Sequence, residues 1–236
     1  MSRRVRKHAN PFTVTTRVGV IDRLVTFGRE APLEVDLGCG GGAFVFERAR
    51  NHPDRDFIGL EVRKVMVEQS MARRDRDGPK NALIYYASSN DNLALAPPGV
   101  IERFTIQFPD PCFKKRHQKR RILQPKIVRG MAELLPIGGQ IYAQSDVKPL
   151  AEEMFDFLNA EGALRCTSGE SLLIPSPFLE RTEWERHHEA NGEPIYRMIF
   201  EKVQEPRGPI PELPFRDTNP LRNPSDGARV ADEPEG

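Results

Sequence analysis

An aspartate held between two prolines, with a dense run of positive charge directly after it, is the arrangement in this chain best suited to chemistry. Phe108-Pro109-Asp110-Pro111-Cys112-Phe113 leads into KKRHQKRR, in which six of the eight residues from Lys114 to Arg121 are Lys or Arg. Each proline fixes its own φ and restricts the residue before it, so Asp110 sits on a stiff connection and is placed rather than merely solvated. Phosphates of a polyanion suit the cations, while the aspartate addresses one particular group. The plain alternative is a solvated basic loop behind a strand.

A second constellation lies upstream. Asp36-Leu37-Gly38-Cys39-Gly40-Gly41-Gly42 sets an acid before a G-x-G-x-G turn. Glycines let the backbone bend sharply and let a ligand lie against it, and the acid points at that ligand from the strand end. No lysine of a phosphate-binding loop follows, and the later glycine spacing of a dinucleotide fingerprint is missing. A cofactor without a pyrophosphate therefore fits best. S-adenosylmethionine is such a cofactor, with an ammonium and a sulfonium that an acid can hold. Glu61, 25 residues after Asp36, falls at the end of the next strand, where nucleoside-binding α/β folds place a carboxylate for ribose hydroxyls. Ser88, Ser89 and Asn90 follow a third strand and offer hydrogen bonds to an adenine edge.

The elements that must position these residues alternate. Strands are expected at Leu33 to Leu37, Asp56 to Leu60, Ala82 to Tyr86, Ile101 to Phe108 and Gln140 to Ser145. Helices are expected at Val14 to Phe27, Ala43 to Arg50, Lys64 to Arg74, from Pro125 to about Leu135, and around Leu150 to Leu158. Ala163 to Glu170 and Pro194 to Glu201 read as a closing antiparallel pair. This order predicts an α/β fold, a doubly wound, Rossmann-like sheet that is mostly parallel with an antiparallel edge hairpin. One domain over 13–203 follows a basic arm at 1–12. From residue 204 to 236 the chain is rich in proline, carries seven acids against four arginines, and is expected to be disordered.

The formal net charge of +1 hides that asymmetry, because residues before 204 carry +4. Two basic patches on one body fit nucleic acid better than a small acidic metabolite. Three scattered cysteines without C-x-x-C spacing point to a reducing compartment, and without a long apolar run or signal peptide the expected place is the cytoplasm, with no membrane partner. His117, His187 and His188 complete no metal-ligand spacing, so no metal is expected. A monomer or a homodimer is equally compatible with the sequence.

Asp36-x-Gly38-x-Gly40-x-Gly42, Gly59-Leu60-Glu61-Val62, FPDP with Lys114 and the K-R-H-x-K-R-R run, Ser145-Asp146 and Thr182-Glu183-Trp184-Glu185 together resemble the tRNA (guanine-N7)-methyltransferases, from the N-terminal RVRKHANPF to about Lys202. The resemblance implies methyl transfer from S-adenosylmethionine to N7 of a guanine in tRNA, at position 46 of the variable loop. It implies that Asp36, Gly38, Gly40, Glu61 and the Ser88 or Asn90 position hold the cofactor, and that Asp110 borders both cofactor and guanine. Lys114, Asp146, Thr182, Glu183, Trp184 and Glu185 would meet the substrate, and Arg116, Lys119, Arg120 and Arg121 the RNA backbone. Two departures stand out. Cys112-Phe113 replaces the family's usual Trp after Pro-Asp-Pro, and Ser88 stands where Asp or Asn is common. An RNA-binding protein with a vestigial pocket, a methyltransferase for another RNA site or a small molecule, and, more distantly, a nicotinamide dehydrogenase are the competing readings.

Overall fold

Every residue of β1 (Leu33–Leu37) is buried, at the centre of a seven-stranded sheet. A strand covered on both faces needs no apolar alternation, and its two acids survive there only because partners take them up. The computed structural model describes residues 10–219 other than 15, 17, 90–92 and 94. The basic arm up to residue 9, Asn90 and the chain from 220 onward lie outside the described residues.

β1 is flanked by β2 (Asp56–Glu61) and β4 (Ile101–Gln107), with β3 (Ala82–Tyr86) beyond β2 and β5 (Gln140–Ser145) beyond β4. These five run parallel. β7 (Tyr196–Lys202) pairs antiparallel with β5 and β6 (Leu164–Cys166), giving the order β3-β2-β1-β4-β5-β7-β6. Strand order reverses between β1 and β4, so the crevice outside their carboxyl ends is where an α/β sheet of this winding receives a ligand. Asp36 faces Thr105 across that pair, and Leu37 faces Ile106.

The connecting helices are α2 (Ala43–Asn51), α3 (Lys64–Asp77), α4 (Pro125–Leu134) and α5 (Lys148–Ala160). α4 starts on Pro125, whose missing N–H costs nothing in a first turn, and buries Ile127, Val128, Met131, Ala132 and Leu134. α6 (Glu183–Ala190) opens with a capping box between Thr182 and Glu185.

Two expectations are corrected. Of the helix expected over Val14 to Phe27 only α1 (Arg23–Phe27) forms, capped by Asp22 and closed by Gly28 in the left-handed region. The chain before it is tied elsewhere, with Ile21 donating its N–H to the Leu95 carbonyl at 2.7 Å. Residues 204–219, expected to be disordered, instead run back across α4 and α5. Arg129 binds the Gly208 carbonyl, the Phe215 ring meets Phe157 edge-on at 5.9 Å, and Arg216 pairs with Glu152 and Asp156. Proline-rich composition removes backbone donors, and side chains do the anchoring.

Candidate active site at the carboxyl edge of the sheet

The glycine turn is stitched to its neighbour by Gly38 and Cys39, whose N–H groups both donate to the Leu60 carbonyl, at 2.8 and 3.0 Å. Gly38 has φ +81°, and a Cβ there would meet Ile122 Cδ1 at 2.8 Å. Ile122 follows the basic run, so this close approach brings the two sequence constellations together. Gly42 also has positive φ, and a Cβ would collide with Ile84.

Around this turn the expected cofactor residues converge. Asp36 is buried and accepts one hydrogen bond, from Thr105 Oγ1 at 2.6 Å. Burial pushes its pKa up to about 6 against the counteracting Thr105 bond. Gln107 Nε2 stands close enough to lower that value somewhat, yet makes no hydrogen bond of normal geometry. Glu61 Oε2 accepts from the Gly40 N–H at 2.9 Å, and Arg63 binds both oxygens. Ser88 is buried just past β3. The donor set fits S-adenosylmethionine: an under-compensated acid for a cation, a spare amide donor for a carboxylate, and open space over Gly40, where a Cβ would meet nothing nearer than Arg63 at 3.6 Å.

The acidic turn leaves β4 under strain. Phe108 and Cys112, both bearing side chains, have φ of +49° and +46° on either side of Pro109-Asp110-Pro111. Such conformations persist only where surroundings impose them. Here the Phe108 N–H donates to the Gln144 carbonyl, its ring stacks on His188 at 6.0 Å, and the Cys112 N–H donates to Asp110 Oδ1 at 2.9 Å. Asp110 also lies in the field of the cofactor end. Arg63's pKa is raised chiefly by its Glu61 hydrogen bonds and further by the charges of Glu61 and Asp110. The Cys112 thiol is pushed up to about 12 by burial and by Asp110, so it stays protonated.

The basic run forms a 3-10 helix, Lys115–Arg120. Lys114, Lys115, Arg116 and Lys119 are exposed, and Arg120 is half-buried. Arg121 departs from expectation: it is 1 % exposed and binds the Pro111 carbonyl, Glu153 and Thr218. An arginine so enclosed cannot also neutralise a phosphate.

On the far side of the turn Asp146 follows β5 and receives Trp184 Nε1 at 3.4 Å, with His188 Nε2 also 3.4 Å away. Thr182 caps α6, Glu183 is exposed, and Trp184 is 49 % exposed. Glu185 is withdrawn from the surface. It is 1 % exposed, shared between Arg197 and Arg181, and bonded to Gln144. Gln144 in turn donates to Gln107, so a buried amide chain links the base of α6 to the neighbour of Asp36. Sequence reading missed this chain and the role of His188, which packs between Asp146, Glu193 and the Phe108 ring. Alternation in QIYAQS, with Gln140, Tyr142 and Gln144 on the face opposite the core residues Ile141 and Ala143, is the signal that could have flagged Gln144. Among the described residues no helix is long and apolar enough to cross a membrane, and no three His, Cys, Asp or Glu side chains are grouped to hold a metal ion.

A family model described as a putative methyltransferase matches residues 30–198. A tRNA (guanine-N(7)-)-methyltransferase of Trichormus variabilis is 36 % identical over 207 residues, covering 85 % of this chain and 96 % of the relative. That of Thermosynechococcus vestitus is 38 % identical over 203 residues, 84 % and 95 % of the two chains. Among solved structures, the aminoglycoside resistance methyltransferase NpmB1 superposes with a TM-score of 0.55 at 20 % identity, over 77 % of this chain and 90 % of that one. The antibiotic-resistance methyltransferase Kmr gives 0.56 at 19 %, over 78 % and 92 %. Those two share the fold; the sequence relatives, matched along nearly their whole length, establish that the chain belongs to the tRNA (guanine-N7)-methyltransferase family.

Proposed function

We propose that this chain methylates N7 of a guanine in tRNA, the variable-loop guanine at position 46, with Asp110 orienting the base and the exposed cations of the 3-10 helix holding the RNA backbone. One observation carries the reading: the strained, doubly braced turn that bears Asp110 leaves β4 beside the end of β1 that runs into the glycine turn, and Gly38 of that turn packs against Ile122. The relatives are tRNA (guanine-N(7)-)-methyltransferases, which supplies the substrate class.

S-adenosylmethionine, when bound, supplies a methyl group activated by a sulfonium. Asp36 and Glu61 would hold it, with Gly38 and Gly40 giving it room and Ser88 or Asn90 meeting the adenine. Guanine N7 bears a lone pair and no proton, so the protein has no base to provide. Its task is alignment, which can lower a barrier by roughly 7–11 kcal/mol. Asp110 accepts hydrogen bonds from guanine N1–H and N2–H and favours the positive charge that grows on the purine. Adenine lacks that donor pair, so the same contact selects the base. Asp146 is the second carboxylate for this role. Trp184 offers a half-exposed ring for stacking, and Lys114, Thr182 and Glu183 would also meet the substrate. Lys114, Lys115, Arg116, Lys119 and Arg120 line the backbone path, while Arg121 and Glu185 serve the scaffold.

The test is to map 7-methylguanosine in an unmodified tRNA transcript after incubation with protein and S-adenosylmethionine. Modification at position 46, lost with Asp110→Asn, is expected. A methyl group found elsewhere, or full activity in the variant, overturns the assignment.

A further inference from the structure

The peptide unit between Pro111 and Cys112 is gripped at both ends. Its N–H, on Cys112, donates to Asp110 Oδ1 at 2.9 Å. Its carbonyl, on Pro111, points the opposite way because the plane is trans. That carbonyl accepts from Arg121 Nε at 2.8 Å and from Thr218 Oγ1 at 3.3 Å. Thr218 is 1 % exposed and accepts from Arg121 NH2 at 2.7 Å, while Arg121 NH1 and Gln118 Nε2 donate to the Arg216 carbonyl at 3.1 and 2.9 Å. Glu153, on α5, receives both Arg121 and the Arg216 N–H. The match to the family model ends at residue 198, so Arg216 and Thr218 are contributed from outside it.

We infer that residues 204–219 are a strap that sets the pose of Asp110, with Thr218 and Arg121 as positioning residues acting through the Pro111–Cys112 peptide plane. The inference rests on the reading that Asp110 orients the guanine. A rotation of that plane swings the N–H that holds the carboxylate, and the two prolines leave little other freedom to absorb it. Glu152 and Asp156 anchor Arg216, and Phe157 anchors Phe215, so the strap is fixed to α5 on the near side of the turn.

Thr218→Val removes the hydroxyl at nearly constant volume. Loss of its two hydrogen bonds is expected to lower kcat about five- to tenfold, with KM for tRNA and Kd for S-adenosylmethionine within about twofold of the parent. Thr218→Ser restores kcat. In an Asp110→Asn background, followed in single turnovers, Thr218→Val has no further effect, because the group it positions is already gone. Arg121→Lys should show the same split more strongly, and Thr218→Val keeps the question open to refutation should that variant misfold. Parent-like kcat in Thr218→Val, a loss confined to KM for tRNA, or an equal loss in both backgrounds overturns the strap. Parent-like kcat in Asp110→Asn instead removes the reading beneath it, so the two failures are told apart.

Discussion

At the amino edge of the sheet Arg48 is buried with all its nitrogens engaged: Glu34 takes Nε and NH2 at 2.9 Å each, and Glu180 takes NH1 at 3.0 Å. Arg55 and Arg103 close on Glu34 from either side, and the Phe178 ring lies 4.6 Å from the Arg48 guanidinium. A cavity of about 340 Å3 opens beside this network, lined by Arg48, Arg103, Tyr142 and Phe178, and the Arg48 guanidinium on its wall is already committed to Glu34 and Glu180. At the carboxyl edge Asp36, equally buried, holds a single threonine hydroxyl, and its pKa rises to about 6. Burial of charge does not by itself mark a site. An acid that the fold leaves under-compensated, close to a strained turn, distinguishes the working end from the structural one.

The widest separation between the two ends should come from removing one charge at each. Arg48→Met strands Glu34 and Glu180 without a counter-charge, and a loss of about 3–5 kcal/mol in urea unfolding is expected, with parent-like turnover in whatever remains folded. Asp110→Asn is expected to lower single-turnover methylation about a hundred- to a thousandfold while moving the melting temperature little. A stability loss there, or a turnover loss at Arg48, would erase the distinction.

Asp36 sharpens it further. Its folded pKa lies above the ordinary value of 3.8, so its ionisation opposes folding. The penalty is absent below about pH 3.8, grows between there and about 6, and is complete above. Asp36→Asn should therefore stabilise the protein without cofactor by on the order of 1–3 kcal/mol at pH 7.5, read by thermal melting. Calorimetry should find S-adenosylmethionine bound about tenfold more weakly at pH 5 than at pH 7 by the parent, with that slope flattened in the variant. The smallest effect belongs to the exposed cations. Replacing Lys115 and Lys119 with alanine should weaken tRNA binding a few-fold and flatten its log-log salt dependence by roughly 1.5.

Much of this was legible in the sequence, and the reasons are local. β1 to β5 were readable because each is a short apolar run ending in turn chemistry, and Asp36, the glycines and Glu61 fall where such runs stop. The basic run was readable as charge but not as geometry. In a 3-10 helix residues three apart share a face, and here Gln118 and, at the C-cap, Arg121 turn inward while Lys114, Lys115, Arg116 and Lys119 stay out. Nothing in KKRHQKRR names the partner, because Glu153 and Thr218 lie 32 and 97 residues away. Glu185 was misplaced for the same reason: a capping box is a local pattern, whereas Arg197 reaches it from β7. The helix expected before Phe27 failed because amphipathicity over Val14 to Phe27 is weak and Asp22 offers a better start.

The pair of left-handed residues around the acidic turn bears on any attempt to make this protein hardier. Cys112→Gly would relieve about 1 kcal/mol of steric cost at φ +46°, and a screen for heat resistance would be drawn to it. The same exchange would loosen the one joint that gives the aspartate its aim, so an engineer should expect a sturdier molecule with a blunter tool.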